Sequence, residues 1–159
     1  MIKEVVSVLE NNSITYEIEY HQAVYTMEEM QKCHLKYEHL IAKNLFLSDD
    51  KKKNYYLICV YGDKKIDLKN IKEIINSRSL SFASENDLHK YLSLSKGSVT
   101  PFGILNDKEH MVHLYIDKVF SDKLIGVHPN VNTATIYLKT NDLMDLIKKL
   151  GNEVQFINI

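Results

Sequence analysis

The stretch Gly97-Ser98-Val99-Thr100-Pro101-Phe102-Gly103 brings two glycines, two hydroxyls and a proline together. Glycine reaches backbone angles closed to other residues and lets a ligand come close to the main chain. Pro101 fixes its own φ and pushes Thr100 toward an extended form. Such a loop is stiff, and its free amides could converge on an oxyanion or an ester carbonyl. Taken by itself it is more simply a turn after a helix. It is neither a Walker A loop nor a dinucleotide fingerprint, so nucleotide hydrolysis has no support.

Three further side chains invite chemistry. Lys43 is flanked by apolar residues in a β-rich segment, where a lysine either snorkels to water or is held as a fixed cation. Asn44 should leave the opposite face of a regular strand, so a site shared by both requires a bend or bulge. His128, within Gly126-Val127-His128-Pro129-Asn130, is the residue type used as a general base at neutral pH. The other histidines, His21, His34, His39, His89, His110 and His113, are assigned to surface or packing. None has a metal-ligand spacing, and no metal or other cofactor is expected. Cys33 adjoins His34, but neighbours on a helix point about 100° apart, which is no nucleophile–base geometry. Cys59 lies in the apolar run Tyr55–Tyr61 and is expected to be buried and inert. Two cysteines make neither a disulfide framework nor a CxxC pair.

The elements that must position these residues follow from periodicity. Ile2, Val5, Val6 and Leu9 predict an amphipathic helix over residues 2–11. A short strand is expected from Thr15 to Tyr20, and Thr26 with Glu29 forms a capping box for a helix at about 27–32. Ile41–Leu47 and Tyr55–Tyr61 read as a hairpin with a polar loop. Asp67 precedes a helix at about 68–77, and Ser84 with Asp87 caps another at about 85–93. Strands are expected at 112–116, 123–127 and 133–138, then a helix at 141–150 capped by Thr140 and closed by Gly151, then a final strand at 154–159. There is no regular βαβ rhythm. The expected fold is α+β, one domain with a mixed, curved, barrel-like sheet and flanking helices.

The chain has 159 residues, 45% of them apolar and 26% charged, which suits one soluble domain. No apolar run approaches the roughly 20 residues needed to span a bilayer, and Met1–Val5 lacks a signal-peptide core. No membrane partner and a cytoplasmic location are expected. A net charge of −1 argues against DNA as a partner. Lysines do gather at Lys51–Lys53, Lys64-Lys65, Lys69 and Lys72, and a partner met only through a short acidic end remains compatible.

Several ordered motifs then carry a resemblance. They are Lys43-Asn44-Leu45-Phe46-Leu47, Lys65-Ile66-Asp67-Leu68-Lys69, Leu80-Ser81-Phe82-Ala83-Ser84, and Lys96-Gly97 through Asn106-Asp107. Together they resemble the YbaK/prolyl-tRNA-synthetase editing-domain family, and within it the free-standing ProX/PrdX-type deacylases of alanyl-tRNA(Pro). The similarity runs from about His21 to the C-terminal helix. It implies hydrolysis of the ester joining a misattached amino acid to the terminal ribose of tRNA, without metal, with water as nucleophile and the vicinal hydroxyl assisting. It implies Lys43, Gly97, Ser98 and His128 as the catalytic group, and Asn44, Val99, Thr100, Pro101, Phe102 and Gly103 as the substrate-binding group. The implied partner is the acceptor end of mischarged tRNA(Pro), with prolyl-tRNA synthetase as an optional second. Gly126-Val127 and Asn130 are less apolar than the family's usual segment around this histidine, which bears on the pocket's size limit. Cysteinyl-tRNA(Pro) is the alternative substrate, and a catalytically silent aminoacyl-tRNA or amino-acid sensor is the alternative class. Retention of Lys43, His128 and the whole glycine loop favours the enzyme.

Overall fold

A computed structural model describes residues 1–62 and 64–159. Its framework is two β-sheets that meet along one seam. The hairpin of β2 (Ala42–Asp49) and β3 (Tyr55–Tyr61) is the centre of the five-stranded sheet. There β2 also pairs with the short β4 (Leu80–Phe82), while β3 runs parallel to β5 (Val112–Asp117) and β5 parallel to β8 (Val154–Ile157). The three-stranded sheet is antiparallel, in the order β1 (Tyr16–Tyr20), β7 (Ala134–Lys139), β6 (Leu124–Val127). Among the described residues a single parallel bridge, Ile41 to Gly126, joins the two. The expected curvature is thus obtained by hinging two sheets at a bridge.

Helices α1 (Ile2–Asn11), α4 (Glu85–Leu92) and α5 (Thr140–Leu150) close the main core, which includes Leu9, Phe46, Leu57, Leu92, Leu114, Ile136 and Leu143. On the other face of the five-stranded sheet, Leu45, Leu47, Ile58 and Val60 pack with Ile71 of α3 (Leu68–Ile75). Covering both faces explains why Tyr55–Val60 is apolar at every position, the pattern of a doubly buried strand. Helix α2 (Met27–Lys32) docks through Met30, which joins Val24, Ile41 and Tyr137 in a small cluster at the seam.

Local chemistry sets most helix starts. Thr26 Oγ1 accepts from Glu29 N at 3.1 Å, and Glu29 Oε2 accepts from Tyr25 N at 3.3 Å, one residue before the usual capping-box return. Asp67 and Ser84 cap α3 and α4 through the amides of Lys69 and Asp87. Thr140 does not cap α5 as expected. It is the first helical residue, and its hydroxyl donates to the Lys123 carbonyl at 2.9 Å, tying the helix to the chain entering β6.

Candidate functional site

The seam opens into a cavity of about 410 Å³. Its walls come from four stretches of chain: the segment into α2, the start of β2, the glycine loop, and the end of β6 with His128. The start of β2 is a sheet edge, because β4 meets β2 only from Leu47 to Asp49. Residues on either side of that edge can therefore reach the opening. Lys43 and Asn44 both border the cavity, although their pairing with Val60 and Cys59 is continuous. The expected bend or bulge is absent, and the edge position does its work.

Lys43 is the one residue of the lining that is a lysine, arginine or carboxylic acid, and it forms no ion pair among the described residues. Asn44 is fixed by its Nδ2, which donates to the Val99 carbonyl at 3.1 Å. Its Oδ1 is buried without a partner among the described residues. An orphaned acceptor of this kind costs about 1–3 kcal/mol.

His128 is held through Nδ1, 3.0 Å from the Ala134 carbonyl. A carbonyl only accepts, so Nδ1 carries the proton and Nε2 presents a lone pair in the neutral ring. Burial pushes the His128 pKa below the ordinary histidine value, opposed by the bond to Ala134, with nearby His21 adding a smaller lowering. The rings of His21 and His128 are 6.1 Å apart. At neutral pH the cavity therefore combines a lysine cation, a fixed carboxamide and an uncharged imidazole, with no carboxylate in its lining. It is suited to an anionic group or to charge developing on an oxygen.

The glycine loop divides. Gly97 and Val99 border the cavity, while Ser98, Thr100, Pro101, Phe102 and Gly103 do not. Pro101–Asn106 winds into a 3₁₀ helix, and Phe102, assigned to substrate binding from sequence, is a fully buried core residue. The amides of Ser98 and Gly103 are bonded to the carbonyls of Ser95 and Thr100, and the Phe102 amide to Thr100 Oγ1. A convergence of the whole loop's amides on one spot is thus corrected. The Gly97 and Val99 amides make no hydrogen bond among the described residues. Gly97 adopts φ +89°, and a Cβ there would come within 2.7 Å of Tyr25 Cδ1. Thr100 instead braces the site, since its hydroxyl donates to the His128 carbonyl.

The sequence reading missed Tyr25, Met27 and Met30, and took Thr26 only as a cap; all four line the cavity. The spacing of Met27 and Met30, one helical turn apart, was the available signal. Gly126 also lines it, and a Cβ there would lie 2.9 Å from Tyr137 Cε1 and 3.0 Å from Ile41 Cγ1. Its bareness is what lets the sheets close on each other. Among the described residues no group of three His, Cys, Asp or Glu side chains is placed to hold a metal ion, and no helix is long and apolar enough to cross a membrane.

Comparison with known proteins gives concordant matches. Residues 21–146 match the aminoacyl-tRNA editing domain family. The chain is 43% identical over 156 residues to the prolyl-tRNA editing protein ProX of Acetoanaerobium sticklandii, covering 98% of this chain and 95% of that one. It is 34% identical over 153 residues to the prolyl-tRNA synthetase associated domain-containing protein 1 of Mus musculus, covering 92% and 89%. A crystal structure proposed as a trans-editing enzyme for prolyl tRNA synthetase superposes with a TM-score of 0.73 at 19% identity, covering 99% of this chain and 96% of that chain.

Proposed function

Since the chain belongs to the aminoacyl-tRNA editing domain family, we propose that it is a trans-editing hydrolase that deacylates mischarged tRNA(Pro), with alanyl-tRNA(Pro) as its principal substrate. The observation that carries this reading is Lys43, a lysine on a strand edge without an ion-pair partner among the described residues, beside Asn44 and across a small cavity from the neutral ring of His128. In the reaction, water oxygen bonds to the ester carbonyl carbon and the bond to the ribose oxygen breaks. The proton lost by water ends on that ribose oxygen, relayed by the vicinal hydroxyl of the terminal adenosine. Lys43 holds the acceptor end and stabilises negative charge growing on the carbonyl oxygen. Asn44 meets the polar groups of the substrate, and His128 forms a wall and positions the ester. The free amides of Gly97 and Val99 are what remains of the loop's donor capacity.

Substrate choice follows from size. The lining is largely apolar, with Met27, Met30, Ile41, Val99 and Val127 among its walls. A pocket can exclude a proline ring but discriminates weakly among smaller side chains, which favours alanine and leaves cysteine as the second substrate.

Purified protein is incubated with tRNA(Pro) charged with alanine, cysteine or proline, with and without prolyl-tRNA synthetase, and loss of the ester is followed. Alanyl ester loss well above the spontaneous rate, with prolyl ester spared, is the expected result. No loss from any substrate rejects the hydrolase. Faster loss of cysteine retains the reaction and replaces the substrate.

A further inference from the structure

Tyr25 is 66% exposed, one of the few large apolar side chains left open to solvent. Yet its backbone is fixed on both sides. Val24 exchanges two hydrogen bonds with Asn132, N to carbonyl O at 3.2 Å and Asn132 Nδ2 to the Val24 carbonyl at 2.9 Å. The Tyr25 amide donates to Glu29 Oε2, and Thr26 begins α2. A large ring is thus displayed on an anchored backbone at the border of the cavity.

The ring meets Gly97 by its edge. From the position of a Cβ on Gly97, Tyr25 Cδ1, Cε1 and Cγ lie at 2.7, 3.4 and 3.6 Å. A point directly above Cδ1 would lie nearly equidistant from its two ring neighbours and only slightly farther from them than from Cδ1 itself; the longer distances are those of an in-plane approach. The side chain of a residue at 97 would therefore run into the ring edge, and the bare Gly97 leaves that edge room while Tyr25 stays 66% exposed. Among the described residues Tyr25 makes no ring–ring contact and its hydroxyl has no hydrogen-bond partner.

We propose that Tyr25 is the stacking platform for the base of the nucleotide whose ribose carries the ester, and so a further substrate-binding residue of this site. The inference rests on the reading of the cavity as an ester-binding site. The base is bonded to the same ribose as the ester, so it must lie within one sugar's width of the reacting carbon, at the cavity border. Lys43 is the cation there, and an exposed aromatic face is the complementary partner for a heterocyclic base. The contact acts in binding, because the base does not change during ester hydrolysis.

The test crosses two variants with two minimal substrates, the 3′-alanyl ester of adenosine 5′-monophosphate and the alanyl ester of ribose 5-phosphate, which lacks the base. With the adenosine ester, Tyr25→Ala is expected to raise KM about tenfold or more at little changed kcat, on the scale of base–aromatic stacking, and Tyr25→Phe to recover most of that loss. With the baseless ester, wild type and Tyr25→Ala should converge. An equal loss on both substrates, or none on either, overturns the platform. Circular dichroism and the thermal midpoint of Tyr25→Ala identify a folding defect, in which case Tyr25→Leu is used. If wild type hydrolyses no alanyl ester, the hydrolase reading fails on its own, and binding of adenosine 5′-monophosphate decides this one. Upfield shifts of the Tyr25 ring protons support the stack, and their absence at saturating nucleotide overturns it.

Discussion

Thr100 and His128 lie 28 residues apart and are joined by one hydrogen bond, the Thr100 hydroxyl donating to the His128 main-chain carbonyl at 2.5 Å. Thr100 Oγ1 in turn accepts from the Phe102 amide at 3.3 Å. One fully buried side chain thus sets the distance between the glycine loop and the histidine segment.

Thr100→Val keeps the shape and removes the hydroxyl, leaving a carbonyl and an amide without their partner. A loss of about 1–3 kcal/mol in folding stability is expected, read as a lower urea midpoint. Thr100→Ser should retain most of it. A midpoint for the valine variant equal to wild type would show that the bond is not a brace.

Lys43 is half-buried at a sheet edge and pairs with no carboxylate among the described residues, so its truncation should leave the fold intact. Lys43→Ala is expected to lower the deacylation rate about 100- to 1000-fold, the usual scale for removing one stabilising group from a developing oxyanion. Lys43→Arg should recover only part, since its planar fork directs charge differently. Full activity in Lys43→Ala would remove the lysine from the mechanism.

Gly126→Ala forces a methyl against Tyr137 and Ile41 at the bridge between the sheets. Overpacking of this kind costs about 1–3 kcal/mol. Combined with Ile41→Ala, which removes the Cγ1 that the methyl meets, the double variant should lose less stability than the sum of the two single variants. Independent, additive effects of the two substitutions would argue against a shared contact.

The lowered pKa of His128 has a defined sign in folding. Above the unfolded value of about 6.5 the ring is neutral in both states and costs nothing. As pH falls below that value the unfolded chain takes up a proton that the buried ring resists, so stability declines until the folded ring also protonates. Urea unfolding from pH 7.5 down to pH 5 should therefore show a steeper decline in wild type than in His128→Gln. Parallel profiles would mean that His128 is not held neutral by burial.

Much of the framework could be read from the chain itself. The helical spacing of Ile2, Val5 and Leu9 marks α1, the Thr26 and Ser84 caps mark two helix starts, and the run Tyr55–Tyr61 marks a strand of a hairpin. Strand β4 escaped because three residues show no period. At the site, Lys43, Asn44, Gly97, Val99 and His128 are brought together, but the split of the glycine loop was hidden. Whether Phe102 faces a ligand or the core depends on distant partners across the two sheets, and nothing local to Pro101 or Gly103 encodes it. Tyr25 was hidden for the opposite reason: nothing near it in sequence says that its ring stays open.

The seam that holds the cavity draws on residues as distant as Val24 and His128, and parallel strands β3, β5 and β8 can pair only after long crossovers. Contacts so far apart in the chain carry a large loop-closure entropy and slow folding. Since the lining reaches from Val24 to His128, and His128 is itself held by Ala134 of β7, no fragment that stops short of β7 contains a complete site.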